Sequence, residues 1–198
     1  MLPINAQGRV LHSRIKPALQ TQLERGDMPT VVGVIVHQTD SSTAASTLAS
    51  YKVSPNGAHF LIDKDGTIYQ TVSVRKRVNH VGRLRARCVA EHSCKPTELA
   101  LINGMQPGIR NRHEMKKDSP ARYPSNFDSI GIEIVGRAMS PASGKGDAIY
   151  EAVTAAQNSS LSWLVREISS TMHVNMREVF RHPVVSQKTP TEASTARW

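Results

Sequence analysis

His37 closes the apolar, β-branched run Val31-Val32-Gly33-Val34-Ile35-Val36, and His182 closes the shorter run Val179-Phe180-Arg181. Glu133 sits between Ile132 and Ile134 within the stretch Ser129 to Gly136, and Lys188 follows six positions after His182. Two neutral imidazoles and one oxygen ligand make a catalytic zinc site whose fourth position is left to water, and zinc brings the pKa of that water toward about 7. A carboxylate in the same cleft can take the proton, and a lysine can stabilise a developing oxyanion. A lone strand-end histidine is more often structural than a ligand, because a zinc site needs several converging ligands. The apolar-flanked glutamate is harder to assign to structure. A buried carboxylate is costly without a cationic partner, which Lys188 or a metal would supply.

These residues need elements that bring them together. The run 31–36 reads as a buried strand, being short, β-branched and without polar alternation, and Ser129 to Gly136 reads the same way. Residues 57–73 read as a hairpin: Ala58 to Ile62 is one strand, Asp63-Lys64-Asp65-Gly66 the turn, and Thr67 to Val72 the return. Ser42 to Tyr51 is expected to be a helix. A longer helix is expected from about Ala148 to Met172, where Val153, Ala156, Leu161, Leu164, Val165, Ile168 and Met172 recur at helical intervals. Residues 1–28 read as a leader with one short helix over Ser13 to Glu24. Residues 83–127 read as a basic, turn-rich insertion with one helix near Pro96 to Asn103. A loop holding Pro141, Gly144 and Gly146 precedes the long helix, and the tail to Trp198 is expected to be irregular. The fold class is therefore α/β: a single domain over 29–198, with a central mixed β-sheet flanked by helices and a long insertion loop. Strand ends in such a sheet project side chains into a shared cleft.

The 198 residues suit one compact domain. The formal net charge of +9 points to an anionic partner such as nucleic acid, lipid headgroups or an acidic wall polymer. Aromatic residues make up only 5 % of the chain, which argues against nucleic acid because stacking platforms for single strands would be scarce. No apolar run reaches the roughly 20 residues of a membrane span. The start, Met1-Leu2-Pro3-Ile4-Asn5, lacks the basic-then-apolar pattern of a Sec signal, so synthesis in the cytoplasm and export by another route is expected. Cys88 and Cys94 are too few for a disulfide scaffold. They are either a local disulfide in an oxidising compartment or two free thiols.

Taken together, several segments resemble the zinc-dependent N-acetylmuramoyl-L-alanine amidases, which include AmpD-like muropeptide amidases, amidase-type phage lysozymes and peptidoglycan recognition proteins. The matching pieces are Val34 to His37, Ala58 to Ile68, Val78-Asn79-His80-Val81-Gly82, Ser129 to Glu133, and Arg181-His182 with Lys188, in the family's order. The resemblance implies zinc held by His37 and His182, Glu133 as general base, and Lys188 polarising the scissile carbonyl. It implies a substrate or structural contact for His80, and His59 is read as a structural histidine. The family's third ligand, Asp or Cys, falls two residues after the lysine, where this chain has Pro190. Glu192 is the expected replacement; the alternative is that Glu133 itself touches the metal.

The implied activity is hydrolysis of the amide between N-acetylmuramic acid and L-alanine in peptidoglycan or a soluble muropeptide. The implied settings are cytoplasmic muropeptide recycling, phage lysis, or a secreted antibacterial effector acting in the periplasm and countered by an immunity protein. The effector setting is favoured, because the two cysteines would pair only after delivery. The competing reading is a peptidoglycan-binding module of the same fold without catalysis, which would follow if no residue replaced the third ligand.

Overall fold

A computed structural model describes residues 1–141 and 146–198; Gly144 of the expected loop lies outside the described residues. Among the described residues, a six-stranded sheet has the order β1-β4-β3-β5-β2-β8. The strands are β1 (Ile15–Pro17), β2 (Gly33–Gln38), β3 (Phe60–Ile62), β4 (Ile68–Gln70), β5 (Ser129–Ile134) and β8 (Val179–Arg181). Strands β8, β2, β5 and β3 run parallel, β4 returns antiparallel through the expected hairpin, and β1 lies parallel to β4 at the edge. The mixed α/β sheet expected from the strand pattern is therefore present.

The central strands lack polar alternation because both sheet faces are covered. On one face, Val34, Val36, Phe60, Ile62, Ile130, Ile132 and Ile134 pack against Leu161, Leu164, Val165 and Ile168 of helix α5 (Ala155–Met172). On the other, Ile35 packs with Val81, Leu84, Tyr123 and Val185. This second face carries the chemistry. Helix α1 (Ala44–Tyr51) stands where the Ser42 to Tyr51 pattern places a helix, and Thr43 caps it by accepting from the Ser46 N–H.

Three local expectations are corrected. The helix expected over Ser13 to Glu24 is instead edge strand β1 followed by a 3-10 turn at Thr21–Leu23. Pro17 falls inside that span, where it would remove a helical hydrogen bond, whereas an edge strand tolerates it. This N-terminal stretch is part of the packed structure, with Leu2, Val10, Ile15, Leu23 and Met28 all buried. The long helix starts at Ala155 rather than near Ala148. Thr154 and Gln157 form a reciprocal capping box there, and Ile149–Tyr150 (β7) pairs with Ala138–Met139 (β6). The insertion holds α2 (Arg87–Ala90), α3 (Pro96–Asn103) and α4 (Pro107–Glu114), not one helix alone. Pro96 and Pro107 stand at helix starts, where a missing N–H does no harm.

The insertion is tied to the domain. The Arg87 guanidinium donates to both Glu178 carboxylate oxygens at 2.7 and 2.9 Å, and its plane lies over Tyr123 and Phe180. Cys88 and Cys94 are joined in a disulfide that closes the turn between α2 and α3. No helix among the described residues is long and apolar enough to cross a membrane.

Candidate metal centre and catalytic cleft

His37 is the fifth residue of β2, and its register partner on β5 is Glu133. His182 opens the short helix α6 (His182–Val185), directly after β8 on the other side of β2. The parallel arrangement brings the C-terminal ends of β2, β5 and β8 to one edge, so strand geometry alone clusters these groups.

Glu192 arrives from the tail. The Glu192 N–H donates to the Thr189 carbonyl at 3.0 Å, closing a turn that leaves Pro190 exposed and buries Glu192. The tail is a series of turns anchored to the domain. The Ala193 N–H donates to Gln38 Oε1 at 3.2 Å, and the Arg181 guanidinium donates to the Ala193 and Ala196 carbonyls at 2.9 and 2.7 Å. Ala193 and Ala196 are fully buried.

His37, His182 and Glu192 thus converge in one buried group. His37 Nδ1 and His182 Nδ1 are 2.9 Å apart, His182 Nδ1 and Glu192 Oε1 3.0 Å, and His37 Nδ1 and Glu192 Oε1 3.6 Å. A tetrahedron with bonds of about 2.0 Å has edges of roughly 3.3 Å, so these separations suit three corners of a zinc site. The donor set, two imidazoles and a carboxylate, is also that of a catalytic zinc. Burial, then the neighbouring His182, holds the His37 imidazole neutral, with a pKa lowered to about 4 against the opposing pull of Glu192. Burial works against the charge on Glu192, but the His182 and His37 hydrogen bonds and charges outweigh it and lower its pKa to about 2. Two ring nitrogens facing one carboxylate form a pocket for a cation.

Glu133 stands beside this group and is not part of it. Its Oε2 is buried and has no hydrogen-bond partner among the described residues. Burial, reinforced by the Glu192 charge and opposed by Lys188, raises its pKa to about 8. Such a carboxyl can exchange a proton near neutral pH. Lys188 is exposed at the rim of the same cleft, which has a volume of about 360 Å³.

His80 lies behind His37, and both its ring nitrogens are engaged, with His37 Nε2 at 3.0 Å and Ser129 Oγ at 3.2 Å. His59 is satisfied within the structure: its Nδ1 accepts from the Gly131 N–H at 3.0 Å and its Nε2 lies 2.9 Å from the Lys76 carbonyl. Burial lowers its pKa to about 4. The cleft also presents two residues that the sequence pattern did not single out, Tyr51 at the end of α1 and Tyr150 on β7. Burial and the carboxylates around the cleft raise both phenols, Tyr150 to about 12. Only their position in the fold marks them, since nothing in their local sequence points to a site.

A family model described as N-acetylmuramoyl-L-alanine amidase matches residues 27–194. The chain belongs to that family. Its fold is shared with the catalytic domain of XlyA (19 % identity, 89 % of each chain, TM-score 0.53) and with AmpD (16 %, 96 % of this chain and 94 % of that one, 0.56). It is shared also with AmiD from E. coli (17 %, 92 % of this chain and 57 % of that one, 0.55), solved with the substrate anhydro-N-acetylmuramic acid-L-Ala-D-gamma-Glu-L-Lys. No curated protein sequence matches the chain.

Proposed function

We propose that this member of the family is a zinc hydrolase that cleaves the amide between N-acetylmuramic acid and L-alanine in peptidoglycan. The observation that carries the reading is the convergence of His37, His182 and Glu192 beside Glu133. Zinc held by these three groups would supply Lewis acidity, bringing the pKa of a water molecule to about 7 and polarising a carbonyl. Glu133, which lines the cleft, takes the proton of the attacking water. It then delivers that proton to the leaving L-alanine nitrogen. Lys188 points a flexible cation at the rim, where the carbonyl oxygen gains negative charge. Ionised Glu192, its Oε1 3.0 Å from His182 Nδ1, would offset part of the charge of a metal held there.

The reading of a binding module without catalysis depended on a missing third ligand. The nearness of Glu192 Oε1 to His182 Nδ1 and His37 Nδ1, 3.0 and 3.6 Å, supports catalysis. The Cys88–Cys94 disulfide supports action in an oxidising compartment such as the periplasm, as for a delivered antibacterial effector with a cognate immunity protein.

The test is digestion of purified sacculi with and without a zinc chelator, followed by mass analysis. Free stem peptides beginning with L-alanine, lost with chelator and restored by zinc, are expected. Shortened peptides still attached to glycan would make the protein a peptidase instead.

A further inference from the structure

The hydrogen bonds behind His37 have a direction, and it is set at a backbone carbonyl. Ser129 Oγ lies 2.6 Å from the Ser125 carbonyl oxygen. Two oxygens at that distance need a hydrogen between them, and the carbonyl has none to offer, so the serine hydroxyl donates. Its hydrogen committed, Ser129 Oγ can only accept from His80 Nε2 at 3.2 Å. A neutral imidazole carries one N–H, so His80 Nδ1 is an acceptor. It faces His37 Nε2 at 3.0 Å, which must therefore donate. The remaining nitrogen of His37, Nδ1, is left with a bare lone pair, and this is the atom that faces His182 and Glu192.

We propose that His80 is a positioning residue: with Ser129 it forms a relay that locks His37 in the Nε2–H tautomer and so presents the Nδ1 lone pair to the metal. The relay rests on the zinc reading above and extends it beyond the ligand group; it gives His80, which also lines the cleft, a role through His37.

Three further features show that the relay is built into the fold. Gly131, on β5, makes room for the His80 ring: a Cβ there would lie 2.8 Å from His80 Nδ1 and 2.9 Å from Cγ. Asn126 fixes the backbone on which His80 rides. Its Oδ1 accepts from the His80 and Val81 N–H groups at 2.8 and 2.7 Å, and its Nδ2 donates to the Val81 carbonyl at 2.9 Å. Asp128 holds the carbonyl end in place by accepting from the Ser125 N–H at 2.8 Å and from its hydroxyl at 3.0 Å. His182 lacks an equivalent: its Nε2 is buried without a partner among the described residues. The far nitrogen of His37 thus has an acceptor that draws its hydrogen away from the ligand group, and the far nitrogen of His182 has none among the described residues.

The test uses the full chain with two readouts that do not depend on turnover. The first is the ring nitrogen spectrum of zinc-free, 15N-histidine-labelled protein, which distinguishes the two neutral tautomers. His37 is expected to carry its hydrogen on Nε2 before any metal is added; a hydrogen on Nδ1 overturns the proposal, whether or not the protein binds zinc. The second is zinc affinity, measured by competition with a chelating dye on variants whose melting temperature matches the parent. His80→Leu removes the acceptor and is expected to weaken zinc about 10–100-fold, the range seen for outer-shell partners. His80→Asn can place an amide oxygen near the Nδ1 position and is expected to recover most of that loss. Ser129→Ala frees His80 to turn its own hydrogen toward His37, and is expected to weaken zinc and shift the His37 spectrum toward Nδ1–H. Affinity in Ser129→Ala and His80→Leu within about twofold of the parent, a difference too small for an outer-shell partner, would sink the idea.

Discussion

His37 and Glu133 are register partners on the adjacent parallel strands β2 and β5. Partners in a parallel pair leave the sheet on the same face, so the proposed metal ligand and the proposed base stand side by side in the cleft. The arrangement rests on backbone hydrogen bonds of the two central strands, among the least mobile parts of such a domain. Glu192 lies with the two histidines in one buried group, whereas Glu133 keeps an oxygen without a hydrogen-bond partner among the described residues, which supports the separate ligand and base roles proposed for them.

Removing that oxygen should separate chemistry from metal binding. Glu133→Gln is expected to retain zinc, measured by metal analysis after dialysis, while turnover falls about 10²–10⁴-fold, the range for losing a general acid–base group. Loss of zinc along with activity would move Glu133 into the ligand set.

The ligand assignment makes the opposite demand of Glu192. Glu192→Ala is expected to lose zinc and activity together, as are His37→Ala and His182→Ala. Thermal unfolding checks this without substrate. Zinc at about 100 times its Kd should stabilise the parent by about 2.7 kcal/mol and leave the variants nearly unmoved. A zinc content in Glu192→Ala equal to the parent's would exclude it as a ligand.

Lys188 is exposed and is not in the ligand group, so its contribution should be to the reaction. Lys188→Met is expected to lower kcat about 10²-fold or more, as for a lost oxyanion donor, with zinc content and KM close to the parent's. An effect confined to KM would make Lys188 a contact for binding alone.

In the metal-free protein, Glu133 links stability to pH. Its folded pKa, about 8, lies above the ordinary value of 4.5, so the folded state holds the proton more tightly than the unfolded chain. This contribution is fully present below pH 4.5 and is lost as pH rises toward 8. Glu133→Gln should therefore gain stability relative to the parent across that window. The difference is expected to be on the order of 2 kcal/mol, less than the full shift because the carboxyl borders open solvent. Denaturant melts of both proteins with chelator at pH 5 and pH 8 measure it. A difference that stays constant with pH would show that the carboxyl is not held protonated. His59 has the reverse sign. Its pKa is lowered to about 4, so its contribution is present above 6.5 and is lost as pH falls toward 4.

Gly131→Ala tests the close approach of His80 to the sheet. The added methyl meets the His80 ring below 3 Å, so the ring or the strand must shift. A loss of about 1–3 kcal/mol is expected in denaturant melts, as for overpacking a tight site. Unchanged stability would show that the ring has room to shift.

The composition of the central strands was legible in the chain. Unbroken β-branched runs ending in His37 and around Glu133 demand a sheet covered on both faces, and period-2 or period-3.6 patterns of apolar residues survive whatever the tertiary context. The hairpin at Asp63 to Gly66 was legible for a similar reason, since Gly66 takes a positive φ of 85° that its neighbours would resist. Glu192 was reachable only by elimination, because Pro190 occupies the position where the resemblance expects a ligand. What carries Glu192 inward is the turn from Thr189, held by Gln38 and Arg181 from other parts of the chain. The edge strand at Ile15–Pro17 was hidden for the same reason: a three-residue strand has almost no pattern of its own and exists because β4 offers it a partner. The relay from the Ser125 carbonyl through Ser129 and His80 to His37 is decided by tertiary structure alone. A hydrogen-bond direction depends on which atoms lie within about 3 Å of each other; the Ser129–Ser125 link is local, but the links from Ser129 to His80 and from His80 to His37 join segments 49 and 43 residues apart in sequence.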